Sequence, residues 1–329
     1  MNRRDFIVRS SLLASAGIWA RSSLFAQPAS VSKPMVPVTT PAGPSAPLVT
    51  EFRPLRRGVG IFTGRGGTIG WLSTKDALVV VDTQFPETAA ICLAGLPGRG
   101  GRVLDAVINT HHHADHTGGN GIFKPATRTI VAQANVPKLM AAAAERAAKA
   151  ASNAGGGFDL SHQTYPDTTF TDVWRRDFGD EIVTARYFGP AHTSGDVVIH
   201  FEQANVVHVG DLGFNRLYPV IDRPAGATIR GWIARLEEVV KTYPADAIYL
   251  CGHGNPKFGV TVQRDELLVL RDYFSALLAH VQQGIAAGKA KSAIVALENF
   301  PGFDDFHAPL PNRLQGNLSV AYDELTAKG

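Results

Sequence analysis

Thr110-His111-His112-His113-Ala114-Asp115-His116-Thr117-Gly118-Gly119 is the stretch on which the reading of this chain turns. It follows an apolar run, residues 102–109, that reads as a strand, so its side chains are expected to splay from a strand-end loop rather than lie along a helix. His111 and His113 can then converge on one cation while Asp115 and His116 reach a second. Neutral imidazole and carboxylate are the ligands zinc takes where one position stays open to water, and a thiolate-rich closed set is absent. The pattern points to a catalytic rather than a structural metal.

Working outward, three more residues of the same chemistry stand beside predicted strand ends. They are His192 in Gly189-Pro190-Ala191-His192-Thr193-Ser194-Gly195-Asp196, Asp211 in His208-Val209-Gly210-Asp211, and His253 between Gly252 and Gly254. Together with the first stretch, this series resembles the metallo-β-lactamase superfamily, whose H-x-H-x-D-H motif is followed by a lone His, a lone Asp or Cys, and a final His. The resemblance covers about residues 57–260 and implies an α/β fold, the four-layer αββα sandwich, with the site in the cleft at the sheet edges. Carried over position by position, it implies that His111, His113 and His192 hold a first zinc, that Asp115, His116 and His253 hold a second, and that Asp211 bridges the two. Asp82, in Val81-Asp82-Thr83, matches the family's early aspartate, which supports the ligands from behind.

The resemblance further implies a hydrolase with two Zn²⁺ ions, in which Asp115 orients an attacking water toward a carboxylic ester, lactone or amide. A β-lactamase is the alternative. However, Asp211 stands where the cysteine-type enzymes carry cysteine, and Phe214 stands where they carry a substrate-clamping lysine; Arg65 or Arg216 would have to replace it. An iron-dependent redox member of the same fold is a further alternative, although His113 is intact where flavin-linked di-iron relatives usually carry glutamate. The tip at residues 63–67 and the loop Phe214-Asn215-Arg216-Leu217-Tyr218 are expected to border a small-molecule substrate, with Asn215 and Tyr218 as contacts. His112 is expected to point away from the metals, and His200 and His208 to be satisfied core residues.

The rest of the chain frames this centre. The formal charge of +3 in 329 residues is local: Arg3, Arg4, Arg9 and Arg21 oppose only Asp5 in residues 1–26, and the remainder is balanced. A basic nucleic-acid-binding face is therefore excluded. Arg3-Arg4-Asp5-Phe6 leads into a short, mildly apolar run to Ala20, which resembles a twin-arginine export signal cleaved near Ala26. That makes the export machinery a partner and the periplasm or exterior the destination, without stable membrane insertion. Residues 27–56 are proline-rich and read as a tether, and residues 57–329 as the catalytic domain. Cys92 and Cys251 read as buried free thiols.

Overall fold

The structure is a computed structural model that describes residues 49–153 and 163–327. The signal segment 1–26 and most of the expected tether lie outside the described residues.

The first half of the chain alternates β-rich runs with glycine-containing turns, and these become β1 (Glu51–Arg56), β2 (Val59–Thr63), β3 (Ile69–Ser73) and β4 (Leu78–Val81). They form an antiparallel meander, and β5 (Ala106–Ile108), β6 (Ile130–Gln133) and β7 (Thr168–Phe170) then join in parallel, so the seven strands lie in sequence order. The second sheet holds β8 (Val173–Asp177), β9 (Ile182–Tyr187), β10 (Val197–Phe201), β11 (Val206–Asn215), β12 (Ile248–Gly254) and β13 (Thr261–Val262).

Strand alternation sorts side chains between layers. Val79 and Val81 face inward and join Ile61, Ile108, Val197, Ile199 and Leu250 in a core between the sheets. Val80 faces outward, where α1 (Pro86–Gly95) and α3 (Asn120–Phe123) cover the first sheet through Ala89, Cys92 and Phe123. The second sheet is covered by α5 (Ile229–Thr242), α6 (Arg264–Ala286) and α8 (Arg313–Thr326), whose Trp232, Leu236, Leu270, Phe274 and Leu318 pack on Val198, Val207 and Tyr249. Each fully buried aliphatic side chain of these layers contributes about 1.5–3 kcal/mol. The order helix, sheet, sheet, helix is the expected αββα sandwich. The short helices α2 (Ala114–Thr117) and α7 (Lys291–Ile294) and the long α4 (Val136–Asn153) complete it. Among the described residues, no helix is long and apolar enough to cross a membrane.

One expectation changes: residues 51–56 lie in the expected tether, yet they form β1, because Glu51 to Arg56 pair antiparallel with Val59 to Thr63. β7 pairs with β6 and β8 pairs with β9, so the chain changes sheet at Thr171-Asp172. Periodicity records alternation and not which sheet receives a strand. β11 continues past Val209 through two register shifts around Gly210, whose φ is +52°, and this places Asp211 inside the strand. Cys92 and Cys251 are free and buried in different layers, and burial pushes the Cys251 thiol up to about 12.

Candidate metal centre

Chain geometry at the end of β5 explains the ligand spacing. After β5 the chain bends at residues 110–112, which brings His111 Nε2 within 3.0 Å of His113 Nδ1; at His113 the backbone enters the single turn of α2, which carries Asp115 and His116. The expected strand-end loop therefore supplies two ligands, and a helical turn supplies the other two. His192 comes from the loop between β9 and β10, Asp211 from the bulged β11, and His253 from the C-terminal end of β12.

The hydrogen bonds behind the ligands decide which ring nitrogen carries the proton. His192 Nδ1 lies 3.0 Å from the Val220 carbonyl oxygen, so Nδ1 donates and Nε2 keeps its lone pair. His113 Nε2 lies 2.9 Å from Asp222 Oδ2, so here Nε2 donates and Nδ1 is bare. Thr110 Oγ1 donates to Asp82 Oδ2 (2.7 Å) and therefore accepts from His111 Nδ1 (3.0 Å), which leaves His111 Nε2 bare. The three bare nitrogens nevertheless converge: His113 Nδ1 is 3.0 Å from His111 Nε2 and 2.9 Å from His192 Nε2. Lone pairs this close repel unless a cation lies among them, and Asp211 Oδ2 stands 3.4 Å from His192 Nε2. Burial pushes His111 well down and His192 down to about 3, so both stay neutral as ligands must.

The second set gathers negative charge. Asp115 Oδ2 is 3.1 Å from His253 Nε2, which is 3.3 Å from His116 Nε2. Asp211 reaches both rings, with Oδ1 3.1 Å from His116 Nε2 and Oδ2 3.4 Å from His253 Nε2. Burial pushes His116 and His253 down, but the carboxylates led by Asp211 overturn it, holding His116 well above its ordinary value and His253 at about 9. This pocket of carboxylates thus binds protons where it holds no cation. Asp211 Oδ1 is buried and, although 3.1 Å from His116 Nε2, makes no well-directed hydrogen bond, as suits an oxygen turned toward a metal. The two donor sets, one of three imidazoles and one of mixed imidazole and carboxylate, fit two divalent cations with Asp211 between them.

A family model described as the metallo-beta-lactamase superfamily matches residues 62–253, more than half of the chain and all seven ligand positions. The chain belongs to the metallo-β-lactamase superfamily. It is 31% identical over 187 residues to a hydroxyacylglutathione hydrolase of Methylococcus capsulatus, covering 54% of this chain and 60% of that one. A second, from Cereibacter sphaeroides, is 26% identical over 218 residues, 62% of this chain and 73% of the relative. Among solved structures, the sec-alkylsulfatase Pisa1 from Pseudomonas sp. matches with a TM-score of 0.63 at 15% identity, over 84% of this chain and 50% of that one. The metallo-beta-lactamase from Pontibacter korlensis matches at 0.53 and 18%, over 69% and 99%. These structural likenesses show the fold.

In this metallo-β-lactamase-superfamily chain, Asp82 stands behind both ligand sets, as expected. It is fully buried and accepts from Thr110 N (2.7 Å), Thr110 Oγ1 (2.7 Å) and His116 Nδ1 (2.7 Å). Its φ of +63° is unusual for a non-glycine residue and turns the carboxylate under the motif. The two residues expected as substrate contacts have their polar groups bonded within the chain. Tyr218 is buried among Tyr273 and Phe306 and its hydroxyl accepts from Phe300 N (3.3 Å). Asn215 donates through its amide to Gly259 O (2.9 Å), tying β11 to the loop after β12. Both polar groups are engaged in holding the fold. The arginines weighed as clamps lie over aromatic rings, Arg65 on Phe85 and Arg216 on Phe258, each at 4.8 Å. Phe214, at the clamp position, stacks on His253 with ring centroids 5.2 Å apart.

His208 is satisfied, through Thr68 O and Gly210 N, whereas half-buried His200 has an unpartnered Nε2. The His112 ring packs on that of His113 with centroids 4.4 Å apart, its Nε2 lies 3.6 Å from Asp222 Oδ2, and neither of its ring nitrogens makes a hydrogen bond. Sequence reasoning missed Asp222, Thr110 and the Val220 carbonyl, which set the protonation of the ligand rings. Replacing Asp222 by alanine removes the acceptor that holds the proton on His113 Nε2. Metal affinity at the three-histidine set is expected to fall about 10- to 100-fold, read by competition with a chromophoric chelator.

Proposed function

We propose that the protein is an exported hydrolase that uses two zinc ions to cleave a carboxylic ester, lactone or amide bond. The observation that carries this reading is the convergence of three bare imidazole nitrogens on one point beside a buried carboxylate shared with a second set. The hydroxyacylglutathione hydrolases among its relatives agree with acyl-bond hydrolysis. Divalent cations in the two sets, when bound, supply a water that ionises near neutral pH and a Lewis acid for the carbonyl oxygen. The chain's own residues do the remaining work. Thr110, Asp222 and the Val220 carbonyl hold the protons on the outer ring nitrogens, so the inner ones face the cleft preorganised.

Asp115 sits at the open side of the centre with its side chain 29% exposed. Burial raises its carboxyl, but the neighbouring His116 and His253 bring it down to about 2, so it is ionised at neutral pH and able to orient a water or take its proton. The floor beneath is closed: Gly67 N donates to Asp115 O (2.9 Å), and Thr68 binds Gly252 O through both its N–H (2.8 Å) and its hydroxyl (3.1 Å). These bonds join the tip of the first sheet to the second.

The test is hydrolysis of an aryl ester, a lactone, an anilide and a chromogenic β-lactam by the zinc-loaded protein, with metal content measured alongside. Ester or lactone cleavage that chelation abolishes and zinc restores supports the reading. Turnover confined to the β-lactam replaces it with a β-lactamase; activity only with iron replaces it with the redox alternative. Export is supported by the Arg3-Arg4 pair and the run that follows. Cell fractionation of the Arg3→Lys, Arg4→Lys double variant tests it, with retention in the cytoplasm as the expected result.

A further inference from the structure

Beside His253 lies a cavity of about 400 Å³ between the β1–β2 edge of the first sheet and the end of β12. Most of its wall is apolar or backbone, from Ile61, Leu217, Pro256, Val260 and several glycines. Apart from His253, the ionisable side chains on that wall are Glu51 and Arg53. They stand two apart on β1, opposite Thr63 and Ile61 of β2, so they share the strand face that carries Ile61 into the inter-sheet core. Arg53 Nη2 donates to Thr261 Oγ1 on β13 (3.1 Å), which holds the guanidinium across the gap between the sheets. Gln84, fully buried on the same wall, has an Oε1 with no hydrogen-bond partner, while its Nε2 is fixed by Gly67 O (2.7 Å).

The wall thus offers one carboxylate, Glu51, next to one cationic donor, Arg53. Two residues along a strand separate Glu51 from Arg53 by about 7 Å. A ligand with only a carboxylate meets repulsion from Glu51, and one with only an ammonium meets repulsion from Arg53; a ligand with both satisfies the pair. We propose that the cavity selects substrates bearing a zwitterionic α-amino-acid group, with the ammonium toward Glu51 and the carboxylate toward Arg53. This rests on the hydrolase reading above and names its substrate class. Arg53 then does from β1 what the lysine clamp does elsewhere in the superfamily, by a different element and toward a different group.

Four aryl acetates that share one reacting bond test it: O-acetyltyrosine, its N-acetyl derivative, its methyl ester, and p-tolyl acetate. The zinc-loaded protein is expected to favour O-acetyltyrosine over each of the other three by about tenfold or more in kcat/KM. Glu51→Gln is expected to erase the preference over the N-acetyl compound, and Arg53→Gln the preference over the methyl ester. Because each result is a ratio, a variant that merely folds poorly lowers both rates and leaves it unchanged. Binding of tyrosine and of p-cresol, measured by calorimetry, runs in parallel. Cleavage of none of the four overturns the hydrolase reading, and the calorimetry still decides the zwitterion site. Equal binding of tyrosine and p-cresol, or equal rates across the four esters, overturns the site and leaves Glu51 and Arg53 as ordinary charges of an edge strand.

Discussion

Replacing Gly252 by alanine is expected to remove the Asp211 carboxylate from its place without unfolding the protein. A Cβ at this position falls 2.0 Å from Asp211 Oδ1 and about 3 Å from the Gly210 backbone, far inside any permitted contact. The backbone of β12 is fixed by its parallel pairing to β11 and by Thr68, so the Asp211 side chain is the part that yields. Once it swings away, both donor sets lose an oxygen. Metal affinity is expected to drop at least about 100-fold and kcat/KM by about 10³. Metal content after dialysis against a weak chelator, read beside the urea midpoint, checks this; retention of two ions per chain would show that β12 moves instead.

Asp82→Ala is expected to cost stability as well as metal. The carboxylate collects three donors in a place without water access, and alanine leaves Thr110 N–H, Thr110 Oγ–H and His116 Nδ1–H unpaired. Orphaned buried donors cost about 1–3 kcal/mol each, and alanine tolerates a φ of +63° less well than aspartate, so a total loss of about 3 kcal/mol or more follows. Denaturant unfolding of the metal-free protein measures that loss apart from metal binding. Asp82→Asn keeps the shape and the backbone preference and is expected to lose less than half as much. Equal losses for the two would place the effect in packing rather than in the hydrogen bonds.

The site is more legible in sequence than the walls around it. His111, His113, Asp115 and His116 are neighbours in the chain, and His192 and His253 could be placed because they stand near strand ends in a recognisable order; Asp211 follows that order although it lies within β11. For Asn215 and Tyr218 the sequence gives position but not direction. They leave Asp211 directly, but the chain beyond β11 turns their polar groups onto Gly259 O and Phe300 N, contacts set by loops far along the sequence. Sequence proximity to a ligand predicts nearness to the site and not direction.

Residue chemistry by itself determined the kind of ligands, because that depends on side-chain type within a short stretch, and the resemblance to the superfamily carried their order and the two-sheet fold. Only tertiary structure decided the rest. Asp222 meets His113 across 109 positions, β7 and β8 part to different sheets within two residues, and β1 brings Glu51 and Arg53 out of a proline-rich approach to wall the cavity. Each of these is a pairing between distant segments, chosen by which edge or layer is left to be filled, and no local pattern carries that information.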